Sequence, residues 1–349
     1  MMRRRIFLAA VIGGVGLMSA ALAQTPAVPA AAAVALHGAG ATFPAPLYQK
    51  WIALYGKEHP NVHIDYQAVG SGEGIQRFLA RSVDFGASDS AMSDQQLRQA
   101  KAGAVLVPTT GSILALAYNL PGVEGPLKLS RAVYTDIFLG KIRHWDDSRI
   151  QELNPELKLP KQVITLVARQ DSSGTTYAMS NHLSAASEEW RRGPGTGNVI
   201  SWPSVTMTAR GNEGVAGRIK RSWGSFGYVE HGYAKRLGLP VIHLQNKAGR
   251  YVAPSFESGR ATLAANVGQM PADLRLFLPD PDGEEAYPLI SLTWLLLYEH
   301  YPDAAKSAAL KGFVSWALSE GQRHSEAEGY IPLTDSVATL ARAAVERVR

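Results

Sequence analysis

The chain has 349 residues, of which 46% are hydrophobic and 19% charged, and it contains no cysteine. This excludes wholesale disorder and leaves apolar material for about two domains; it also excludes disulfides, thiolate metal sites, cysteine nucleophiles and a lipid on an N-terminal cysteine. The formal net charge of +5 owes three units to Arg3, Arg4 and Arg5; the remainder carries 32 basic and 30 acidic residues, scattered along the chain, and presents no basic excess for nucleic acid.

In chain order, residues 1–23 read as a secretory signal peptide. The three arginines are its basic start, Ile6 to Leu17 its apolar stretch, and Ala21-Leu22-Ala23 its cleavage signal before Gln24. Residues 24–34 are rich in Ala and Pro and read as a flexible leader. No later segment has the roughly 20 uninterrupted apolar residues of a membrane span.

From Leu36 strand and helix patterns alternate. Pro44 to Tyr55 places Leu47, Trp51 and Leu54 on one helical stripe, and Val62 to Ala68 alternates like a strand. Ile75, Phe78 and Leu79 suit a short helix, Val83 to Ala87 a short strand, and Ser93 to Gln96 a capping box. Val105 to Pro108 and Ile113 to Asn119 read as two strands. Val163 to Ala168 reads as a strand, Tyr177 to Leu183 as a helix and Ser291 to Tyr298 as a buried strand. Ala304 to Leu318 and Ser336 to Val348 read as closing helices. The alternation predicts an α/β fold with mostly parallel sheets. Trp145, Trp190, Trp202 and Trp223 read as packing residues.

Four segments share a design of strand, small polar loop and helix start: GAGATFPAP from Gly38, GSGEG from Gly70, GASDS from Gly86 and RQDSSGTT from Arg169. Helix N-termini present free N–H groups and the positive end of a dipole, glycines admit a ligand close to the backbone, and hydroxyls add donors. Any one such loop is ordinarily a capped turn. Four together point to an anion site. Enzyme signatures are missing: no dinucleotide fingerprint, no phosphate-binding Walker loop, no G-x-S-x-G elbow and no H-E-x-x-H. His59 and His63 are four apart, but Pro60 lies between them and no third ligand is evident.

At these loops the sequence resembles the PstS family, the periplasmic phosphate-binding proteins of ABC-type phosphate uptake. The motifs are GAGATFPAP, VDFGASD from Val83, LGKIRHWDD from Leu139, LNPELKLP from Leu153, the Arg169-x-Asp171-x-Ser173-Gly174-Thr175 run, GNEGVAG from Gly211 and GYVE from Gly227. The resemblance covers the chain from about Leu36 to its end. It implies a two-domain periplasmic-binding-protein fold with a hinged cleft between domains. Residues 35–111 and 255–349 would form the first domain, and 112–254 the second. It implies no cofactor, metal or catalytic residue, and a monomer that hands inorganic phosphate to the membrane permease subunits of its transporter.

The resemblance also assigns the ligands. Thr42 and Phe43 would offer backbone N–H groups, with the Thr42 hydroxyl. Ser71 would offer its hydroxyl and N–H. Asp89 would accept a hydrogen bond from the ligand's own proton, and Arg169 would be the one cationic contact, held by Asp171. Ser173, Gly174 and Thr175 would donate from the second domain. By residue type alone, each has an ordinary reading: Thr42, Ser173 and Thr175 as caps, Ser71 and Asp89 as turn residues, Phe43 as core and Arg169 as a surface strand end. The rival functions are a receptor for another tetrahedral oxyanion, such as sulfate or molybdate, and a secreted phosphatase.

Overall fold

The computed structural model describes residues 33–203 and 205–349. The signal peptide and most of the leader fall outside them, but Val34, assigned to the leader, already opens the first strand and pairs with Val62. The chain runs β1 (Val34–Gly40), α1 (Ala45–Glu58), β2 (Val62–Ala68), α2 (Ser71–Leu79), β3 (Phe85–Ser88), α3 (Asp94–Gln99) and β4 (Val105–Tyr118). It continues through β5 (Lys128–Leu129), α4 (Arg131–Phe138), α5 (Ser148–Leu153), β6 (Thr165–Arg169), α6 (Gly174–Ala186) and α7 (Glu188–Arg192). Then come β7 (Thr206–Ala209), α8 (Gly211–Arg221), β8 (Ser225–Glu230), α9 (His231–Arg236), β9 (His243–Gln245) and β10 (Tyr251–Val252). It ends with α10 (Phe256–Asn266), β11 (Ile290–Leu297), α11 (Ala304–Ala317) and α12 (Asp335–Val345).

The helices follow their apolar stripes. α1 buries Leu47, Tyr48, Trp51 and Tyr55 on one side. α3 starts at the expected capping box, in which Ser93 and Gln96 satisfy each other's backbone N–H groups. One sheet orders its strands β2-β1-β3-β11-β4-β8-β6-β7, and a small second sheet orders β10-β9-β5. The large sheet is mixed: four of its seven strand pairs are parallel and three are antiparallel. Its two ends are parallel, as β-α-β connections require, but β11 and β4 run antiparallel to their neighbours through the middle.

β4 also corrects the sequence reading. The two expected strands are one, because the polar run between them stays in the ladder. Its hydroxyls are buried yet partnered: Thr109 with Tyr48 at 2.7 Å, Thr110 with the Ile331 carbonyl at 2.9 Å, and Ser112 with Glu230 at 2.8 Å. The ladder shifts register between Thr293 and Trp294, opposite Pro108, which has no N–H to give. β4 pairs with β11 as far as Ile113, and with β8 from Leu114 onward. It is therefore the strand shared by the two halves of the sheet. Trp145 and Trp190 are fully buried and Trp202 packs against the core, whereas Trp223 is 59% exposed, contrary to expectation. Among the described residues no helix is long and apolar enough to cross a membrane.

A buried histidine ties α4 and α6 to the segment before β11. His182 Nδ1 faces the Pro279 carbonyl at 2.6 Å, and Nε2 faces the Tyr134 hydroxyl at 2.8 Å. A neutral ring donating from Nδ1 and accepting at Nε2 satisfies both. Burial pushes its pKa down from 6.5 to about 4, with the Pro279 carbonyl and Asp280 opposing and Arg131 assisting. The unfolded chain thus takes up this proton first as pH falls. Stability should be intact above about pH 6.5 and decline toward pH 4, by up to about 3 kcal/mol from this group. Urea unfolding across that range should show the slope in the wild type and a shallower one in His182→Gln; identical slopes would remove His182 as the cause.

Candidate functional site

Three helix starts converge between the halves of the sheet. β1 delivers Thr42 and Phe43 to the start of α1, where Pro44 sets the first turn. The Phe43 ring is core, against Tyr330, and its carbonyl accepts the Tyr330 hydroxyl at 2.7 Å. The Thr42 carbonyl accepts the Tyr233 hydroxyl at 2.8 Å. β2 delivers Ser71 as the first residue of α2, after Gly70 at φ +102°, where a Cβ would meet Asp171 Oδ2 at 2.4 Å. β6 delivers Arg169, and Ser173 caps α6 by accepting the Thr176 N–H at 3.1 Å. The fourth loop departs from the expected design. Asp89 follows directly on β3, but α3 begins only at Asp94, so this loop supplies a carboxylate and no adjacent helix start.

The candidate residues come together; Asp171 is half-buried and the others are buried. Gly174 faces α2 so closely that a Cβ would lie 2.5 Å from Ser71 Oγ and 2.7 Å from Asp89 Cβ. Ser71 Oγ accepts the Asp89 N–H at 3.1 Å. Arg169, its side chain only 1% exposed, donates Nε to Asp171 Oδ1 at 2.8 Å, Nη2 to Asp171 Oδ2, and Nη1 to Thr175 Oγ1 at 3.3 Å. Gly211 N–H adds a third bond to Asp171 at 3.0 Å. Burial pushes the Asp171 carboxyl up, but the Arg169 fork and the backbone donors outweigh it and hold it below the usual carboxylate range.

Asp89 is different. Burial dominates and pushes its pKa up to about 7, against the opposing Thr293 hydroxyl, the Arg169 charge and the hydroxyls of Ser71 and Thr175. Arg169 is thus largely matched by Asp171, and Asp89 adds negative charge as it ionises. An anion here would be held mostly by N–H groups, hydroxyls and helix dipoles.

Several polar groups of the site carry no local signal in the sequence. Thr293, on β11, donates to Asp89 Oδ1 at 2.9 Å from 204 residues away. Tyr228 places its hydroxyl 3.2 Å from the Arg169 N–H and 2.7 Å from Thr176. Asn198 donates to Ser90 at 2.8 Å, and Gly72 N–H to the Ser172 carbonyl at 3.0 Å. Asn212, at the start of α8, bonds to both Thr42 and Thr175. It lies within the GNEGVAG run, so a motif pointed to the segment but not to the residue. A cavity of about 1630 Å³ opens beside these contacts and reaches Thr42, Gly72, Asp171 and Asn212. Of the candidate residues, only Thr42 and Asp171 line it.

Two halves of an α/β sheet meeting over such a cradle define a solute-binding protein, and the family model described as the PBP superfamily domain matches residues 27–321. "Phosphate-binding protein PstS" of Haemophilus influenzae is 38% identical over 315 residues, 90% of this chain and 93% of that protein. The protein of the same name from Methanocaldococcus jannaschii is 37% identical over 340 residues, 90% of this chain and 87% of the relative. The chain belongs to the PstS family within the PBP superfamily. In fold it is similar to a solved high affinity periplasmic phosphate-binding protein, PfluDING, bound with phosphate. The TM-score is 0.73 at 21% identity, covering 89% of this chain and 93% of that one. A phosphate binding protein from Stenotrophomonas maltophilia superposes with a TM-score of 0.70 at 21% identity, covering 89% and 94%.

Proposed function

We propose that this chain binds inorganic phosphate in the periplasm and delivers it to the permease subunits of an ABC-type phosphate importer. The observation that carries the reading is the convergence of three helix starts, one ion-paired arginine and one protonatable aspartate in a single buried space, in a member of the PstS family. No bond is broken: the protein is a binding protein, not an enzyme. Thr42, Phe43, Ser71, Ser173, Gly174 and Thr175 donate to the phosphate oxygens, Arg169 supplies the positive charge, Asp171 orients it, and Asp89 accepts a hydrogen bond from a phosphate O–H. Ser173 Oγ is a helix cap, which suits a donor better than the nucleophile a phosphatase would need.

Residues 35–111 with 255–349, and 112–254, act as two lobes that hinge about β4, the strand the halves share. Bonds such as Gly72 to Ser172 and Asn198 to Ser90 join the lobes, as a closed form requires. The signal peptide directs the chain to the periplasm, where it acts as a monomer.

The test is calorimetric titration of protein stripped by unfolding and refolding. Phosphate should bind most tightly. Arsenate, of the same shape and also protonated near neutrality, should bind measurably, and sulfate weakly. Tighter binding of sulfate, or no binding of phosphate, would overturn the reading. Solution scattering should show a monomer with a smaller radius of gyration when phosphate is added. An unchanged radius would count against the hinge.

A further inference from the structure

Thr42 and Thr175 stand on opposite sides of the site, one ahead of α1 and the other in the first turn of α6. One fully buried side chain touches both hydroxyls. Asn212 Nδ2 lies 3.0 Å from Thr42 Oγ1 and 3.2 Å from Thr175 Oγ1. The amide has only one workable orientation. The Glu230 N–H lies 3.0 Å from Oδ1 and requires an acceptor, so the two hydrogens of Nδ2 face the threonines.

A threonine hydroxyl has two lone pairs and one hydrogen. Thr42 Oγ1 accepts from Asn212 Nδ2 and also from the Asn212 N–H, at 3.2 Å. Thr175 Oγ1 accepts from Asn212 Nδ2 and from Arg169 Nη1 at 3.3 Å. The lone pairs of both oxygens are thereby engaged, and each hydroxyl keeps only its hydrogen to offer.

We infer that Asn212 is a positioning residue for anion binding, fixing the polarity of the Thr42 and Thr175 hydroxyls so that both present hydrogen, never a lone pair, to the ligand. A freely rotating hydroxyl can face an anion with either, and a lone pair repels it. Fixing both rotors in advance removes that loss and makes the pair specific for acceptors. The same side chain links residues on the two sides of the cleft, so the polarity is set when the sides meet. This inference rests on the phosphate reading above.

The experiment is a set of double-mutant cycles in phosphate titration, with thermal unfolding of each ligand-free variant as the check on folding. Asn212→Ala should raise the phosphate Kd by roughly 10- to 100-fold in the wild type, the scale of hydrogen bonds to a charged group. In Thr42→Val and in Thr175→Val its cost should be smaller by at least about threefold, because one of the two rotors it sets is gone. The same cost in all three backgrounds would mean that Asn212 merely braces the fold, and would overturn the inference. If Asn212→Ala does not fold, Asn212→Asp keeps the shape but offers acceptors to both threonines, turning their lone pairs to the ligand. Its loss should exceed the loss seen in the valine backgrounds, where its charge acts as before but only one threonine is left to turn; equal losses would again overturn the inference. A wild type that binds no phosphate would defeat the functional reading itself. Phosphate binding with additive cycles would defeat only the role of Asn212.

Discussion

Arg169→Ala should weaken phosphate binding by about 2–5 kcal/mol, roughly 30- to 5,000-fold in Kd. The guanidinium is almost wholly buried, and two of its nitrogens are committed to Asp171. Its removal therefore does two things. It takes away the positive charge proposed to face the ligand, and it leaves the Asp171 carboxylate, still bonded by the Gly211 N–H, without its cationic partner. The second effect repels the anion further. The two can be separated with Arg169→Ala/Asp171→Asn, which removes the stranded charge and should recover part of the loss. Asp171→Asn alone should cost less than Arg169→Ala, since the arginine remains and only its orientation loosens. Arg169→Lys should not rescue fully, because an ammonium cannot make the two-pronged contact. Titration calorimetry on the four variants checks the series; an unchanged affinity in Arg169→Ala would take Arg169 out of the site.

The parts of this fold legible in the sequence are those with a local cause. α1 shows its stripe, α3 its capping box, and β11 the apolar run from Trp294 to Leu297. What stayed hidden depends on distant pairing. Thr109 to Ser112 look like a break between strands, since polar side chains and a glycine ordinarily end a buried run. They remain in β4 because Tyr48, Ile331 and Glu230 reach them from elsewhere in the chain. The antiparallel centre of the sheet is equally invisible locally: β11 returns from the far end of the sequence to lie between β3 and β4.

The site divides in the same way. Its helix starts are written in small-residue loops, so Ser71, Ser173 and Gly174 could be singled out, and the family resemblance joined them to Asp89 and Arg169. The groups that set the chemistry of those residues could not. Thr293 reaches Asp89 from β11, and Asn212 crosses between two threonines only once the halves of the sheet are assembled. Neither type at either position differs from an ordinary strand or helix-start residue. Chain topology, not local pattern, made them part of the site.

Asp89→Asn should shift the sulfate-to-phosphate affinity ratio toward sulfate by at least about tenfold near neutral pH, the scale of one buried polar mismatch. Phosphate keeps a proton near neutrality and sulfate does not. An ionised Asp89 can accept a hydrogen bond from phosphate but meets sulfate with like charge, whereas asparagine offers sulfate an N–H in the same shape. The elevated pKa, about 7 because burial outweighs the Thr293 and Arg169 contributions, adds a pH signature. As pH falls through that value Asp89 gains a proton and becomes a donor. Sulfate affinity in the wild type should therefore rise on acidification and fall on going alkaline, while sulfate itself stays fully deprotonated. Asp89→Asn has no proton to gain there, so its sulfate affinity should be nearly flat over the same range. Sulfate is the cleaner probe, because phosphate changes its own charge in that window. Titrations at about pH 6 and about pH 8, at one ionic strength, give both readouts. A wild-type sulfate affinity that does not move with pH, together with a ratio unaltered by the substitution, would mean that Asp89 does not read the ligand's proton, and that discrimination between the two anions must come from the donors around them.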